Sequence, residues 1–396
     1  MSEKLKKNVL VLGLVSLLTD ISSEMIFSIL PVFMSSVLML DKAVIGLIEG
    51  IAESSASVFK LLSAKAEKFL GKKKTVILFG YGLSTVVKPL FAFATNWWQL
   101  LLFRFGDRAG KGLRGPARDS IIADSSAQQT RGFSFGFHRT MDTIGAIIGP
   151  LLAFLILSLL SQNFRLVFLL SFIPAFLAVL IILFFVKEEK NPVKDNIKEK
   201  TLQNTEYKWF LLSASVFALG NLSFAFLLIR IQDLGLPVAF IPLAYLFFNI
   251  SYAFFAIPFG KLADKIGRIK ALALSFALFS LTFTGFALAK EAWIAIILLA
   301  VYGIATAGTE TVQRTIASEI VPKQKRTGSL GTYQGITGLL LLPASIIAGI
   351  LWSLAGAETA FAFSAITSIS ALAPLYKIQK NFLKPQRRTT KKEKKV

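Results

Sequence analysis

The chain has no cysteine and a single histidine, His138, among 396 residues. Without thiols there is no disulfide framework, no thiolate nucleophile and no cysteine-built metal site. One imidazole cannot supply a histidine-built zinc centre. Acids are scarce, 23 Asp and Glu against 44 Lys and Arg, and charged residues make up only 17% of the chain. A soluble protein of this size carries about a quarter of its residues as charge. Apolar runs stand in their place: 54% of the residues are hydrophobic, 36 are Phe, and mean hydropathy is +0.63. In a soluble chain a net charge of +21 would suggest a nucleic-acid partner. Here the basic residues fall between apolar runs, so the bilayer is the expected partner and nucleic acid is not.

A complete nucleotide loop is also lacking. The stretch Arg104 to Asp119, RFGDRAGKGLRGPARD, contains GDRAGKG. A phosphate-cradling loop needs four residues between its glycines and a Ser or Thr after the Lys. This one has three, and Gly112 stands where the hydroxyl belongs. ATP-driven transport is therefore disfavoured and no cofactor is expected, an ion gradient being the energy source. The N-terminal run MSEKLKKNVLVLGLVSLLTD has the charge order of a signal peptide but no small-residue cleavage site, and its apolar part continues to about Met34. It reads as a retained first membrane helix.

Crossing a bilayer takes about 20 apolar residues, and such spans occur near 8–34, 42–64, 75–95, 97–118, 133–160, 165–186, 209–231, 238–260, 270–289, 292–316, 329–354 and 358–378. The expectation is an all-α membrane protein of twelve transmembrane helices. Only one stretch between spans is long and polar enough to be a linker, and it divides the spans six and six. Residues 1–186 form the first half, 187–208 a linker, 209–380 the second half and 381–396 a basic tail. Lys4, Lys6 and Lys7, KAEKFLGKKK, KLADKIGRIK and PKQKR fall in alternate loops. By the positive-inside rule both termini and the linker are cytoplasmic, in a multi-pass protein of the cell membrane. The basic tail would rest on anionic lipid.

The halves repeat at an offset of 195: Asp124 with Glu319, Arg131 with Arg326, Gly136 with Gly331. Such a parallel repeat suits a transporter that rocks two halves about a site near the midplane. GKLADKIGRIK, Gly260 to Lys270, resembles the G-x-L-x-D-R-x-G-R-[KR] loop motif of the major facilitator superfamily, with Gly260, Asp264, Gly267 and Arg268 in its key places. Gly145, Gly149 and Pro150 resemble the G-x-x-x-G-P motif of that superfamily's proton-coupled antiporters. The resemblance implies the major facilitator fold, a small-molecule substrate, protons as coupling ions and a monomer. DISSEM, GYGL, GKGLRGPARDSIIADS and RGFSFGFHRTMDTIGAIIGPLLA resemble a bacterial and archaeal branch of it. The first-half loop departs from the motif, with Ala64 for the leading glycine and Lys68 in the aspartate position.

Several ionisable residues lie within the spans, and each is a functional candidate by default. Arg104, Arg108, Lys111 and Arg118 recur at helical spacing on one side of the fourth span. Counted from Trp97 and Trp98, Arg104 and Arg108 sit about 10 to 16 Å deep. They need acidic partners: Asp107 locally, Asp20 and Glu24 across the bundle. Two readings of Asp20 and Glu24 stand side by side, assembly partners of those arginines or proton carriers whose protonation releases an arginine. In the second span Glu49 reads as a solvated acid near the outer mouth. Glu53 and Lys60 lie deeper, as inter-half salt bridges or substrate contacts. His138 and Asp142 read as a cytoplasmic helix start, where Asp suits the positive helix end, or as a proton relay. Gly145 to Pro150 reads as a packing element against the eighth span. Asn221 and Arg230, Asn249 and Tyr252, Glu310 and Arg314, and Tyr333 and Gln334 are the second half's candidates, with Glu310 and Arg314 as a simple i, i+4 pair.

The reading is a secondary active transporter with no enzymatic activity, a proton-coupled exporter working by alternating access around a cavity lined by spans 1, 4, 7 and 10. A proton-coupled importer of an organic anion is the alternative, and a metal exporter or non-transporting receptor are more distant ones.

Overall fold

The computed structural model describes residues 7–126, 130–160, 162–187, 205–322 and 326–382. Most of the expected linker, the basic tail, and parts of the loops at 127–129 and 323–325 lie outside the described residues. Among the described residues the regular structure is helical. In the first half of the chain the helices are α1 (Lys7–Phe27), α2 (Lys42–Leu70), α3 (Lys73–Leu90), α4 (Trp97–Asp124), α5 (Arg131–Leu159), α6 (Phe164–Leu170) and α7 (Phe172–Phe185). In the second they are α8 (Thr205–Gly220), α9 (Phe224–Asp233), α10 (Ile241–Ile266), α11 (Arg268–Leu288), α12 (Ala292–Glu319), α13 (Arg326–Ser370) and α14 (Leu372–Phe382). By length and composition, nine helical segments among the described residues can cross a membrane.

The breaks between helices follow from local chemistry. Asp41 caps α2 by accepting from the Ala43 amide (2.8 Å), and Gly71, at φ 71°, ends it in the left-handed region that glycine enters without strain. The seventh expected span is two helices: α8 stops at Gly220, and Ser223 restarts the chain by capping α9 at the Ala225 amide. The last two expected spans run together as α13, interrupted at Gly356, where φ is 87° and ψ 169°.

Contact between the two halves of the chain is made by α2 on α13 and by α5 on α10. Close approach requires glycine here: a Cβ on Gly46 would stand 2.3 Å from the Ser345 carbonyl oxygen. The end of the bundle opposite the start of α1, here the far end, is closed. Gln232 Nε2 donates to Ser36 Oγ at 2.5 Å across the halves, and Ser353 Oγ donates to the Asp41 carboxylate at 2.6 Å.

Within α4 the glycines are close-packing points, not a loop. A Cβ on Gly110 would meet the Gly80 carbonyl oxygen of α3 at 2.5 Å, and one on Gly112 the Ala56 carbonyl oxygen of α2 at 2.5 Å. Gly145 and Gly149 of α5 behave alike but correct the expected partner. Their faces lie on α1, at the Leu17 and Ile21 carbonyl oxygens (2.7 Å each), not on α10. The α10 contact uses another side of α5, where Asn249 donates to the Ala146 carbonyl oxygen at 3.2 Å. Gly149→Ala therefore forces α1 and α5 apart and should cost about 1–3 kcal/mol. Gly136→Ala, with nothing within 4 Å of its Cβ, should cost nothing. Thermal unfolding of both variants in detergent compares them.

Candidate functional site

A central cavity lies between the halves in two joined lobes that share Asn221, Tyr302, Thr306 and Glu310. The near lobe, about 590 Å³, is lined by Lys60, Gln334 and Tyr333 among others, and exposed Lys60 and Leu61 mark its opening at the end where α1 begins. The far lobe, about 390 Å³, holds Glu24, Glu49, Glu53, Arg104, Arg108 and Lys111. The expected lining from spans 1, 4, 7 and 10 is thus widened by α2, α10 and α13.

The arginines do not pair with Asp20 or Glu24. Arg104 is bidentate on Glu49, with Nε to Oε1 at 2.9 Å and Nη2 on Oε2, and Arg108 Nη2 meets Glu53 Oε1 at 2.6 Å. Two acids four apart on α2 match two arginines four apart on α4, so neighbouring faces neutralise each other rung by rung. Both guanidiniums also lie over the Phe27 ring, at 4.6 and 4.3 Å. Glu49 is 3% exposed, so it is no solvated acid at an outer mouth. Glu53 pairs within its own half rather than across the halves.

Asp107 is no partner for the arginines either. It is turned about 100° from Arg108 around the helix, is buried, and does not line the cavity. Among the described residues no Lys or Arg stands within salt-bridge distance of it. Lys88 of α3 was not singled out from the sequence, yet it is fully buried, with Nζ donating to Ser22 (2.8 Å) and Ser23 (3.0 Å) of α1. An intramembrane lysine in an apolar run, just before Pro89, is the signal that could have found it.

Asp20 and Glu24 sit on the face of α1 that α5 clamps. A Cβ on Gly145 would be 2.9 Å from Asp20 Cβ, and one on Gly149 2.8 Å from Glu24 Cβ. Glu24 lines the far lobe and accepts from the Tyr245 hydroxyl of α10 at 2.5 Å, a link between the halves. Among the described residues neither acid has a Lys or Arg within salt-bridge distance. Tyr245 was also missed, because a tyrosine in an apolar helix carries no sequence signal of its own.

Asp142 accepts from Ser16 of α1, and His138 Nδ1 stands 3.5 Å from Asp142. His138 lies two turns into α5 and is buried, so the helix-start reading of this pair does not hold. Glu310 and Arg314 pair at 3.3 Å as expected, and Glu310 also accepts from the Tyr252 hydroxyl at 3.0 Å. In the loop motif, Gly267 has φ 94° and joins α10 to α11. Arg268 binds Asp264 and grips both oxygens of Glu319, at 3.1 and 3.2 Å. Gly260 meets only an ordinary contact with Thr311. In the first half Lys73 and Asp124 are joined at 2.7 Å. In the register that sets Ala64 against Gly260 and Lys68 against Asp264, Arg268 stands opposite Lys72, so this bridge lies one residue beyond the motif position and is not a copy of it.

The sequence profile of the Major Facilitator Superfamily matches residues 12–229 and again 208–396. The uncharacterized MFS-type transporter MJ1317 of Methanocaldococcus jannaschii is 36% identical over 382 residues, covering 94% of this chain and 95% of that one. The multidrug resistance protein MdtG of Proteus mirabilis is 28% identical over 195 residues, 48% of this chain and 47% of its own. Among solved structures, a bacterial homologue of the human lysosomal transporter Spinster, inward-facing and occupied, superposes with a TM-score of 0.78 at 17% identity, covering 95% and 97% of the two chains. The nucleoside transporter NupG gives 0.74 at 16%, covering 96% and 100%. The chain belongs to the Major Facilitator Superfamily and is a multi-pass membrane transporter, not an enzyme.

Proposed function

We propose that the protein is a twelve-span secondary active transporter that exports a small molecule in exchange for protons. The count starts from the nine segments apolar enough to span. To these it adds α2 and α4, whose charges face inward on each other, and the division of α13 at Gly356. With the termini cytoplasmic, as the basic loops indicate, the open near lobe faces the cytoplasm and the closed far end faces out.

The observation that carries the proton reading is the unpaired state of Asp20 and Glu24. Arg104 and Arg108 are already matched by Glu49 and Glu53. A carboxylate inside the bilayer without a salt-bridge partner is costly, and taking up a proton lowers that cost. Glu24 also touches the second half of the chain through Tyr245, so its protonation can bias how the halves sit. The antiporter-like glycines clamp the helix turns bearing these two acids, and part of the chain is similar to multidrug resistance proteins. Both favour export. Import of an anion held on Arg104 and Arg108 would need those guanidiniums free, and Glu49 and Glu53 occupy them.

The test uses proteoliposomes with an imposed pH gradient and a panel of labelled drugs. Asp20→Asn with Glu24→Gln should abolish gradient-driven movement while leaving downhill counterflow in place. Intact gradient-driven flux in the double variant would sink the proton role.

A further inference from the structure

A third cavity, of about 850 Å³, lies outside the central one, in the seam between α5 and α10. Its volume is within the range of about 300–1,000 Å³ typical of small-molecule sites. Phe133, Phe137 and Ile144 of α5 and Ile257 of α10 make its walls apolar. Ile257 of its lining is 70% exposed, as is Phe254 three residues earlier on α10, which places the mouth on the bilayer-facing surface of the bundle. Gly136 leaves a bare stretch of wall, since a Cβ there would meet nothing within 4 Å.

The inner end of this slot is polar and positive. Arg139 Nη2 donates to the Tyr252 hydroxyl at 3.0 Å, and that hydroxyl donates to Glu310 at 3.0 Å. Arg314 reaches the same carboxylate at 3.3 Å. Arg314 thus binds the acid directly, and Arg139 reaches it through the Tyr252 hydroxyl. Glu310 and Arg314 also line the near lobe of the central cavity, where Lys60 adds a further positive charge. The Glu310–Arg314 pair therefore stands between the lipid-facing slot and the transport cavity, with one side on each.

From this geometry we infer that the α5–α10 seam is a side entrance, through which a single-chain amphiphile with an anionic head passes from the surrounding leaflet into the central cavity. The chain lies along the apolar wall at Gly136, and the head is met by Arg139 and Arg314. This names a substrate class and a route for the proposed exporter and rests on that reading.

Because the chain has no cysteine, Thr143→Cys gives one attachment point for a fluorophore on the wall of the slot. The full-length labelled protein in phosphatidylcholine nanodiscs is titrated with spin-labelled lysophosphatidylglycerol, and separately with spin-labelled lysophosphatidylcholine. The anionic probe should quench saturably, with half-saturation about fivefold or more below that of the neutral one. Arg139→Gln with Arg314→Gln should erase that preference, and Gly136→Trp should erase the saturable component. Quenching that rises without saturation, is blind to charge, or survives Gly136→Trp overturns the inference. A second arm follows fluorescent lysophosphatidylglycerol in proteoliposomes under a pH gradient. Movement that Gly136→Trp slows supports an entrance, whereas saturable quenching with no movement means a resident lipid and overturns it. The two readings fail separately: if proton coupling is wrong, Asp20→Asn with Glu24→Gln leaves movement intact, while Gly136→Trp still removes the quenching.

Discussion

Glu49→Gln will destabilise the full-length protein by about 3–5 kcal/mol, the cost of leaving one member of a buried ion pair without its partner. Arg104 is 3% exposed and has one guanidinium nitrogen, Nη1, already without a hydrogen-bond partner among the described residues. Removing the Glu49 charge leaves that cation with Glu53 alone, 3.9 Å away and shared with Arg108. The Phe27 ring beneath it supplies only a weak attraction by comparison. Glu53→Gln should cost clearly less, because the Glu53 side chain is 33% exposed and water can take over part of its role. Replacing both members, as in Glu49→Met with Arg104→Met, should recover much of the loss, since no charge is then left stranded. Thermal unfolding in detergent, followed by intrinsic fluorescence or light scattering, ranks the three. If Glu49→Gln melts no earlier than Glu53→Gln, the pair is not the keystone of the far lobe.

The pairing behind that prediction was only half legible in the sequence. That Arg104 and Arg108 need acids follows from their depth in an apolar helix, and their common face follows from spacing. Which acids they take does not follow, because partner choice depends on how α4 is rotated against α1 and α2. The complementary spacing of Glu49 and Glu53 is visible in the sequence, but nothing there sets the depth of Glu49. Helix existence was easier, since uninterrupted apolar length is a one-dimensional signal. Its failures are instructive: Gly220, Asn221 and Ser223 split one apolar run into α8 and α9, an interruption too short to lower the hydropathy of the whole span. The glycines of α5 were legible as packing points but not as packing on α1. A helix has several faces, and the sequence does not say which neighbour each one meets. Lys88 was passed over although its chemistry was plain, and its hydroxyl partners Ser22 and Ser23 come from a helix that only the fold brings near.

A disulfide between Asp41→Cys and Ser353→Cys will stop transport altogether, and reduction will restore it. The two native side chains are short and within a 2.6 Å hydrogen bond, so cysteines in their places stand within reach of a bond. They join the start of α2 in the first half to α13 in the second, at the end closed by Gln232 and Ser36. Ser353 and the Ala43 amide hold the Asp41 carboxyl below the usual carboxylate range. That contribution is present above the ordinary Asp range and is lost as pH falls through the lowered value. A seal made of a few hydrogen bonds can open and close within a transport cycle, whereas a covalent one cannot. No native cysteine competes for the bond, so formation of the crosslink reports on this pair alone. Alternating access requires the far end to part in every cycle, so the oxidised form should lose both gradient-driven flux and downhill counterflow. Asp41→Asn with Ser353→Ala, which weakens the seal without locking it, should retain both. Flux that persists with the disulfide fully formed would mean that the far end stays shut throughout, and substrate would then have to leave by another path.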